Sequence, residues 1–266
     1  MKLKSPFHNN RRVVPMGAEI KNKIAVVTGG AKGIGYAIAE EFLNQGAKIV
    51  FIVDLNENQG TETAKTLNSK YGDARAVFIK CDVTKDLDKA YDDIASKCPS
   101  IDILVNNAGV LNEHSLRKTI ETNTVATVEW SMKFLENMRK DKGGKGGVIL
   151  NVSSIYGYMV DELSPFYKAS KYAVMGFSRT LGHTKNYNVT GVKVLVICPG
   201  ITNTDFILDM TINEALDFQK EGMHELVTIW PNQEKEDVAN AAVKILENGP
   251  SGSAWSIIGG ELQLLD

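Results

Sequence analysis

The sequence contains few cysteines and histidines, and it has no long apolar run. Its three cysteines, Cys81, Cys98 and Cys198, are odd in number and lack C-x-x-C spacing, and its four histidines are scattered. This scarcity argues against a disulfide framework and a metal site, and it favours a reducing compartment, which we take to be the cytoplasm. No apolar run approaches the roughly 18 residues of a membrane-spanning helix, so we expect a soluble protein.

An excess of charge of either sign is also missing. Thirty basic residues stand against 32 acidic ones, and no block of like charge could follow a phosphate backbone, so nucleic acid is not an expected partner. Residues 1–22 are basic up to Glu19 but lack the apolar core of a secretory signal. We interpret them as a disordered N-terminal extension, with organelle targeting as the alternative.

Apolar runs and helical patterns alternate along the rest of the chain. The 43% of hydrophobic residues suffices for the core of one domain, which we assign to residues 23–266. The pattern predicts an α/β fold, a single doubly wound Rossmann domain with a seven-stranded parallel sheet and helices on both faces. Ligands of such sheets bind at the carboxyl ends of the strands. The predicted strands are residues 24–28, 49–54, 76–80, 103–105, 147–153, 192–197 and 254–258.

A glycine-rich segment lies between the first predicted strand and a helix. Residues 28–35 read TGGAKGIG, with the spacing G-x-x-x-G-x-G instead of the common G-x-G-x-x-G. Glycines in this position let the backbone approach a pyrophosphate at a helix N-terminus, although a plain structural turn is the alternative. The predicted cofactor contacts here are Gly29, Lys32, Gly33, Ile34 and Gly35.

Further polar and small residues follow the next strands. Asp54, about 20 positions beyond the glycines, can bind the hydroxyls of the adenosine ribose and would repel a 2′-phosphate. Lys32 favours the opposite preference, because it could pair with that phosphate. Leu55 stands where a second base would be expected, so we predict NAD as the cofactor instead of NADP. After the third and fourth strands, the predicted nucleotide contacts are Asp82, Val83, Asn107, Ala108 and Gly109.

A serine, a tyrosine and a lysine form the candidate reaction centre. Tyr167 and Lys171 are four residues apart and would share one helix face. A tyrosine titrates near pH 10, so a nearby ammonium is needed to favour its phenolate at neutral pH. Ser154, at a strand end, can hydrogen-bond an alcohol or carbonyl oxygen while Tyr167 exchanges the proton. An ordinary core tyrosine and a solvated lysine are the alternatives.

In combination, these motifs resemble the classical short-chain dehydrogenases/reductases. The ordered set is TGGAKGIG, NNAG, Ser154, Tyr167-Lys-Ala-Ser-Lys171 and Cys198-Pro199-Gly200, and it covers residues 23 to about 260. The resemblance implies Ser154, Tyr167 and Lys171 as the catalytic triad, extended through a bound water by Asn123. It also implies that Lys171 holds the nicotinamide ribose. The residues expected to close over the nicotinamide and pyrophosphate are Pro199, Gly200, Ile201 and Thr204.

The detail is most similar to the NAD-dependent 15-hydroxyprostaglandin dehydrogenase branch and the insect-type alcohol dehydrogenases. One departure is Ser164, which stands where that branch has a substrate-contacting glutamine, so the prostaglandin substrate is not carried over. Residues 204–230 correspond to the family's substrate lid. The apolar side chains there would suit a hydrophobic secondary alcohol, and the alternative is that about half of them only pack the lid onto the domain. They are Phe206, Ile207, Leu208, Met210, Leu216, Phe218, Met223 and Trp230.

The sequence leaves two other functions open and predicts an oligomer. Lys32 leaves open an NADPH-dependent keto reductase, and the fold alone leaves open a catalytically idle nucleotide-binding protein. The segment 116–138 is more apolar than one sheet face requires, which predicts a partner helix. In the family this helix and the tyrosine helix form a dimer interface, so a homodimer or homotetramer is expected. The expected substrate contacts are Ser154, Ser164, Tyr167 and Phe206.

Overall fold

The computed structural model describes residues 19–210 and 215–265. Residues 1–18, most of the predicted extension, lie outside this part. Ile20 is 2% exposed within the core, so the folded domain includes a residue that the sequence placed in the extension. The strands are β1 (Ile24–Thr28), β2 (Ile49–Asp54), β3 (Ala76–Lys80), β4 (Ile103–Asn106), β5 (Gly147–Val152), β6 (Val192–Pro199), β7 (Ala254–Ile258) and β8 (Glu261–Leu265).

Helices connect most of these strands and cover both faces of the sheet. A π-helical turn at residues 121–125 and a 3₁₀ turn at residues 155–157 flank the site described below. The α-helices are α1 (Gly33–Asn44), α2 (Glu57–Tyr71), α3 (Leu87–Lys97), α4 (Leu116–Ile120), α5 (Ala126–Met138), α6 (Pro165–Leu181), α7 (Thr184–Thr190), α8 (Asp205–Met210), α9 (Lys220–Ile229) and α10 (Lys235–Asn248).

The alternation of side chains along each strand divides the core between the two faces. Val27 packs with residues of α1 and α10, whereas its neighbour Val26 packs with residues of α3 and α5. Because both faces are covered, the strands need no polar face, which explains their continuous apolar runs. The predicted architecture, a parallel sheet between two helical layers, is confirmed.

The sheet has the order β3-β2-β1-β4-β5-β6-β7-β8. β1 to β7 are parallel, and the order reverses direction between β1 and β4. In open α/β sheets the crevice at such a reversal, outside the carboxyl ends of the strands, is where ligands bind. The fold therefore places the glycine loop after β1 beside the loop after β4.

The predicted strand number of seven is wrong by one. β8 pairs antiparallel with β7 at the edge of the sheet. Gly259 and Gly260 connect the two strands, with φ angles of 56° and 80°, the positive values that a tight two-residue hairpin loop requires. The prediction missed β8 because the strand is mostly solvent-exposed and lacks the apolar run of the inner strands.

Across residues 19–210 and 215–265, no helix has the length and apolar character needed to cross a membrane.

Candidate active site

A cavity of about 730 Å³ lies at the carboxyl ends of the strands. It extends from the glycine loop to α6, so it joins the predicted nucleotide contacts to the predicted reaction centre. Three predicted residues, Gly35, Asn123 and Ser164, are not among its lining. The predicted residues that do line it are Gly29, Lys32, Gly33, Ile34, Asp54, Leu55, Asp82, Val83, Asn107, Ala108, Gly109, Ser154, Tyr167, Lys171, Pro199, Gly200, Ile201, Thr204 and Phe206.

The glycine loop has the form of a cradle that side chains would fill. Gly29 and Gly33 have φ angles of 62° and 58°, which L-residues with side chains rarely adopt. A Cβ atom on Gly35 would lie 2.2 Å from the carbonyl oxygen of Gly29. Gly35 therefore stays behind the cradle and lets α1 approach the loop. The first turn of α1 has no side-chain cap and no acidic residue, which leaves its N-terminus available to an anion.

Asn107 and Thr28 fix the loop after β4 to the glycine loop. The side-chain amide of Asn107 donates to the carbonyl oxygens of Thr28 and Gly29 at 3.0 and 3.1 Å. In return, the Thr28 hydroxyl accepts from the backbone N–H groups of Asn107 and Ala108. Asn107 thus shapes the cavity mainly through the backbone that it holds in place.

Two aspartates lie at the carboxyl ends of β2 and β3, at the same edge of the sheet. Asp54 accepts from the backbone N–H of Ala31 at 3.1 Å and from that of Asn56 at 3.0 Å, so its carboxylate is fixed beside the glycine loop. Asp82 accepts from both the backbone and the hydroxyl of Thr84, and the hydroxyl hydrogen bond in particular lowers its pKa. The Asp82 side chain therefore stays an ionised acceptor at neutral pH.

Tyr167 and Lys171 lie one turn apart on α6, and both are buried. The Lys171 ammonium is 5.5 Å from the centre of the Tyr167 ring and donates to the carbonyl oxygen of Val152 at 3.0 Å. Burial raises the pKa of Tyr167, and the hydrogen bond with Ser154 opposes that increase. Burial also lowers the pKa of Lys171 to about 8. In the protein alone, burial therefore outweighs the expected effect of Lys171 on the phenol.

Ser153 and Ser154 follow directly after β5 and make different contacts. The Ser153 hydroxyl donates to the carbonyl oxygen of Lys171 at 3.0 Å and so fastens α6 to the strand. Ser154 lines the cavity, and its hydroxyl oxygen accepts from the backbone N–H of Tyr156 at 3.2 Å. Because the oxygen only accepts in this bond, the hydroxyl proton of Ser154 can be donated to Tyr167 or to a ligand in the cavity.

Asn123 lies in a π-helical turn, residues 121–125, between α4 and α5. Its side chain binds both backbone groups of Val110, accepting from the N–H at 2.8 Å and donating to the carbonyl oxygen at 2.8 Å. It also donates to the Ser170 hydroxyl at 3.0 Å. A Cβ atom on Gly109 would meet Asn123 at 3.3 Å and Lys171 at 3.6 Å, so the two side chains flank this glycine.

The lid contributes fewer cavity residues than the sequence predicted. Phe206 and Ile207 line the cavity, and the Phe206 ring is 6.2 Å from that of Tyr167. Met223 is buried in an apolar cluster that also contains Tyr156 and Leu163 from outside the lid, whereas Phe218 is 82% exposed. The side chains of Leu208 and Met210 lie outside the described part. Leu216 and Trp230 are half-buried and do not line the cavity.

Ser164, a predicted substrate contact, is not brought into the cavity. It is buried at the N-cap of α6 with a φ angle of 50°, and its hydroxyl contacts the sulfur of Met223 at 3.5 Å. Its backbone N–H donates to the side chain of Gln219. The left-handed backbone turns the side chain toward the lid, which spacing along the sequence could not reveal.

Sequence reasoning also missed side chains that belong to the site. Val110, Ile155, Tyr156 and Leu226 line the cavity, and Glu113 binds the start of α6 beside it. Leu226 had a signal, since it belongs to an apolar pattern in the lid. Glu113 had only an indirect one, because α6 begins without a capping side chain of its own.

The chain is similar to known enzymes over most of its length. A family model described as short chain dehydrogenase matches residues 23–215. The 15-hydroxyprostaglandin dehydrogenase (NAD(+)) of Macaca fascicularis is 33% identical over 234 residues, covering 86% of this chain and 88% of that enzyme. The Alcohol dehydrogenase 2 of Ceratitis cosyra is 31% identical over 244 residues, covering 90% of this chain and 92% of that enzyme.

A solved structure supports the fold. The crystal structure of levodione reductase superposes with a TM-score of 0.77 and covers 90% of this chain and 97% of that chain, at 21% sequence identity. At this identity the likeness establishes the shared architecture alone.

Proposed function

The chain belongs to the short chain dehydrogenase family, and from that premise we propose that it oxidises a hydrophobic secondary alcohol reversibly to a ketone, with NAD as the cofactor. The observation that carries the proposal is the shared cavity. It has the glycine loop and Asp54 at one end and Ser154, Tyr167 and Lys171 at the other. A nucleotide held at the first end would extend toward the proton-transfer residues at the second.

Tyr167 is the acid/base group of the proposed reaction. In oxidation its phenolate takes the proton of the substrate hydroxyl, and in reduction its phenol returns one. Because burial raises the pKa of Tyr167, the phenolate needs a stabilising charge, and the ammonium of Lys171 is the nearby cation. A bound nicotinamide supplies the acceptor for the hydride.

Ser154 and Asn123 assist in different ways. Ser154 donates its hydroxyl proton to the substrate oxygen and thereby orients the carbinol against Tyr167. Asn123 does not reach the cavity, so its proposed part is to hold Val110 and Ser170 and, through them, the surroundings of Lys171. Both proposals are supported by the hydrogen bonds that fix these side chains beside the cavity.

The residues of the nucleotide end fit a dinucleotide. The cradle of glycines, the uncapped start of α1 and the fixed carboxylate of Asp54 supply the groups that a pyrophosphate and an adenosine ribose require. The macaque relative carries NAD(+) in its name, which supports the same cofactor here. Leu55, 64% exposed at the cavity, offers no cation to a 2′-phosphate.

The substrate end is lined mainly by apolar groups. Ile155, Ile201, Phe206, Ile207 and Leu226 surround the space next to Tyr167. Such a wall favours a hydrophobic alcohol, because a strongly polar substrate would leave its polar groups without partners there.

The test is a screen of secondary alcohols at several pH values, with reduction of NAD followed by absorbance. We expect turnover with hydrophobic alcohols, and a loss on the order of 10³-fold in Tyr167→Phe, because the phenyl ring keeps the packing but cannot exchange a proton. NAD binding should persist in the variant. If wild type and variant bind NAD equally and are equally inert, the chain is a nucleotide-binding protein and the proposal fails.

An NADPH-dependent keto reductase is the second candidate, and Lys32 is the observation that favours it. This lysine lines the cavity and is 60% exposed, with Asp205 as an ion-pair partner at 3.9 Å. We expect Asp54→Ala to weaken NAD binding by about 10- to 100-fold, because it removes a charged hydrogen-bond acceptor. Tighter binding of NADP than of NAD by the wild type would establish the second candidate.

The proposed assembly is a homodimer or homotetramer. Leu116, Val125, Met132 and Tyr172 are exposed on α4 to α6 and the π turn between α4 and α5, where a partner helix would cover them. Light scattering should give a mass of two or four chains, and Met132→Glu should lower it. A monomeric wild type would contradict the proposal.

The three free, buried thiols support the further proposal of a reducing compartment such as the cytoplasm.

A further inference from the structure

Glu113 is a buried carboxylate at the start of the helix that carries Tyr167. Its side chain accepts from the backbone N–H of Tyr167 at 2.8 Å and from that of Phe166 at 2.9 Å, one bond to each oxygen. The residue is 1% exposed and does not line the cavity. It therefore acts on the backbone of Tyr167 and not on a ligand.

The sequence of α6 itself cannot supply these bonds. A helix begins with four N–H groups that lack partners within the helix, and here Pro165 has none to offer. Ser164, at the N-cap, makes no side-chain cap because its backbone is left-handed, and the first turn contains no acidic residue. Glu113, more than 50 residues earlier in the chain, fills the place of a local cap.

The position of Glu113 in the chain connects α6 to the cofactor side of the cavity. Glu113 follows the loop of Gly109 and Val110, which lines the cavity and is held by Asn123. A buried carboxylate with two short charge-assisted bonds permits little movement. The backbone of Tyr167 is thus fixed relative to the loop that borders the proposed nicotinamide end.

We propose that Glu113 is a positioning residue, which sets the place of the Tyr167 phenol by holding the backbone N–H of the same residue. The inference rests on the proposed function for its kinetic consequence, but the positioning itself can be observed without turnover. Glu113→Gln keeps the size of the side chain and leaves one acceptor oxygen. Its amide nitrogen then faces an N–H group, so one of the two bonds is lost.

The matched control is Asp102→Asn. Asp102 also accepts from a backbone N–H, that of Ile24 at 2.9 Å, but it lies at the amino ends of the strands, away from the cavity. The oxygen of Asn can keep this bond, whereas the ion pair of Asp102 with Lys23 at 3.4 Å is lost, so the variant controls for the removal of a carboxylate charge outside the cavity. Glu113→Asp, which retains the carboxylate on a shorter stem, serves as the conservative variant.

Two measurements on the full chain with NAD bound decide the matter. We expect kcat to fall by about 10- to 100-fold in Glu113→Gln while the dissociation constant of NAD changes less than about twofold, because the phenol and not the cradle is displaced. Glu113→Asp should recover most of the loss, and Asp102→Asn should keep the kcat of the wild type. The second measurement is the NMR signal of isotope-labelled Tyr167, identified by its absence in Tyr167→Phe. It should move in Glu113→Gln and stay in place in Asp102→Asn.

The outcomes separate the two ideas. If the wild type oxidises alcohols but Glu113→Gln matches Asp102→Asn in kcat and in the Tyr167 signal, the positioning role is overturned and the proposed function stands. If the wild type is inert but the Tyr167 signal moves only in Glu113→Gln, the positioning role stands and the function fails. Should Glu113→Gln not fold, Glu113→Asp decides by the Tyr167 signal, because its shorter stem has to draw the backbone of Tyr167 toward residue 113. A displaced signal with most of kcat retained would support the positioning role, and a signal that stays in place would overturn it.

Discussion

α1 and α6 both begin beside the cavity, but their N-termini differ in whether a side chain binds the first N–H groups. α1 starts at the glycine loop with Lys32 in the N-cap position, and no side chain caps it. α6 also lacks a cap of its own, but Glu113 reaches across and binds two of its first N–H groups. One positive helix end is left free and the other is already occupied by a carboxylate.

The difference teaches how one physical feature serves two purposes. A free N-terminus attracts an anion, which suits a helix that is to receive a pyrophosphate. An occupied N-terminus attracts nothing further, and the carboxylate fixes the helix in place. Under the proposed function, α1 binds the cofactor and α6 holds Tyr167 at a set distance from it.

We expect the largest effect from Gly35→Ala, which disturbs the uncapped N-terminus of α1. The new methyl group would lie 2.2 Å from the carbonyl oxygen of Gly29 and 2.5 Å from the amide nitrogen of Asn107, neither of which can easily move away. We expect a loss of about 3 kcal/mol in the free energy of unfolding, measured by urea denaturation, and loss of NAD binding by calorimetry.

Gly176→Ala, in the middle of α6, is the matched control. A Cβ atom there meets nothing within 4 Å, so the helix should gain about 0.5–1 kcal/mol and NAD binding should be unchanged. Normal NAD binding by Gly35→Ala would contradict the interpretation that the free N-terminus of α1 receives the pyrophosphate.

Lys32 at the start of α1 and Lys171 on α6 should differ in their effect on how the free energy of unfolding varies with pH. Lys32 is exposed, whereas Lys171 is buried on α6 and burial lowers its pKa to about 8 from 10.5. Between these values the unfolded chain holds a proton that the folded chain has released, so the free energy of unfolding rises with pH. Relative to Lys171→Met, the wild type should gain about 1–2 kcal/mol between pH 7.5 and 9.5 in urea denaturation. A difference that does not vary with pH would show that Lys171 is not desolvated.

Lys32→Asp would make the first helix start resemble the second. The backbone at this N-cap is extended, as a capping aspartate requires, so the protein without cofactor should gain about 0.5–1 kcal/mol. The same carboxylate would repel a pyrophosphate, and NAD affinity should fall about tenfold. Lys32→Met, which removes the ammonium without adding an acceptor, is the control. Equal NAD affinity in the two variants would contradict the role given to the free end.

The sequence predicts the part of the site that depends on strand ends. Glycines after β1, Asp54 after β2 and Ser154 after β5 had to meet, because parallel strands bring their carboxyl ends to one edge. Tyr167 and Lys171 follow from helical spacing. The hairpin from β7 to β8 was also within reach, since Gly259 and Gly260 are a strong signal for a two-residue turn.

Other features depend on packing between distant segments. The contact of Glu113 with Tyr167 joins residues 54 positions apart, and the uncapped start of α6 does not indicate which distant side chain fills that place. The exclusion of Ser164 from the cavity follows from a backbone φ of 50°, an uncommon value for a serine. The raised pKa of Tyr167 follows from its burial, which a motif does not reveal.

The π turn around Asn123 has a consequence for how this segment can evolve. A π turn closes with one residue more than an α-turn, so residues 121–125 accommodate an insertion without a change in the register of α4 or α5 on the sheet. We expect that loss of one residue there would restore a regular helix and turn the asparagine away from Val110 and Ser170. The length of this segment thus carries functional information that is independent of its residue types.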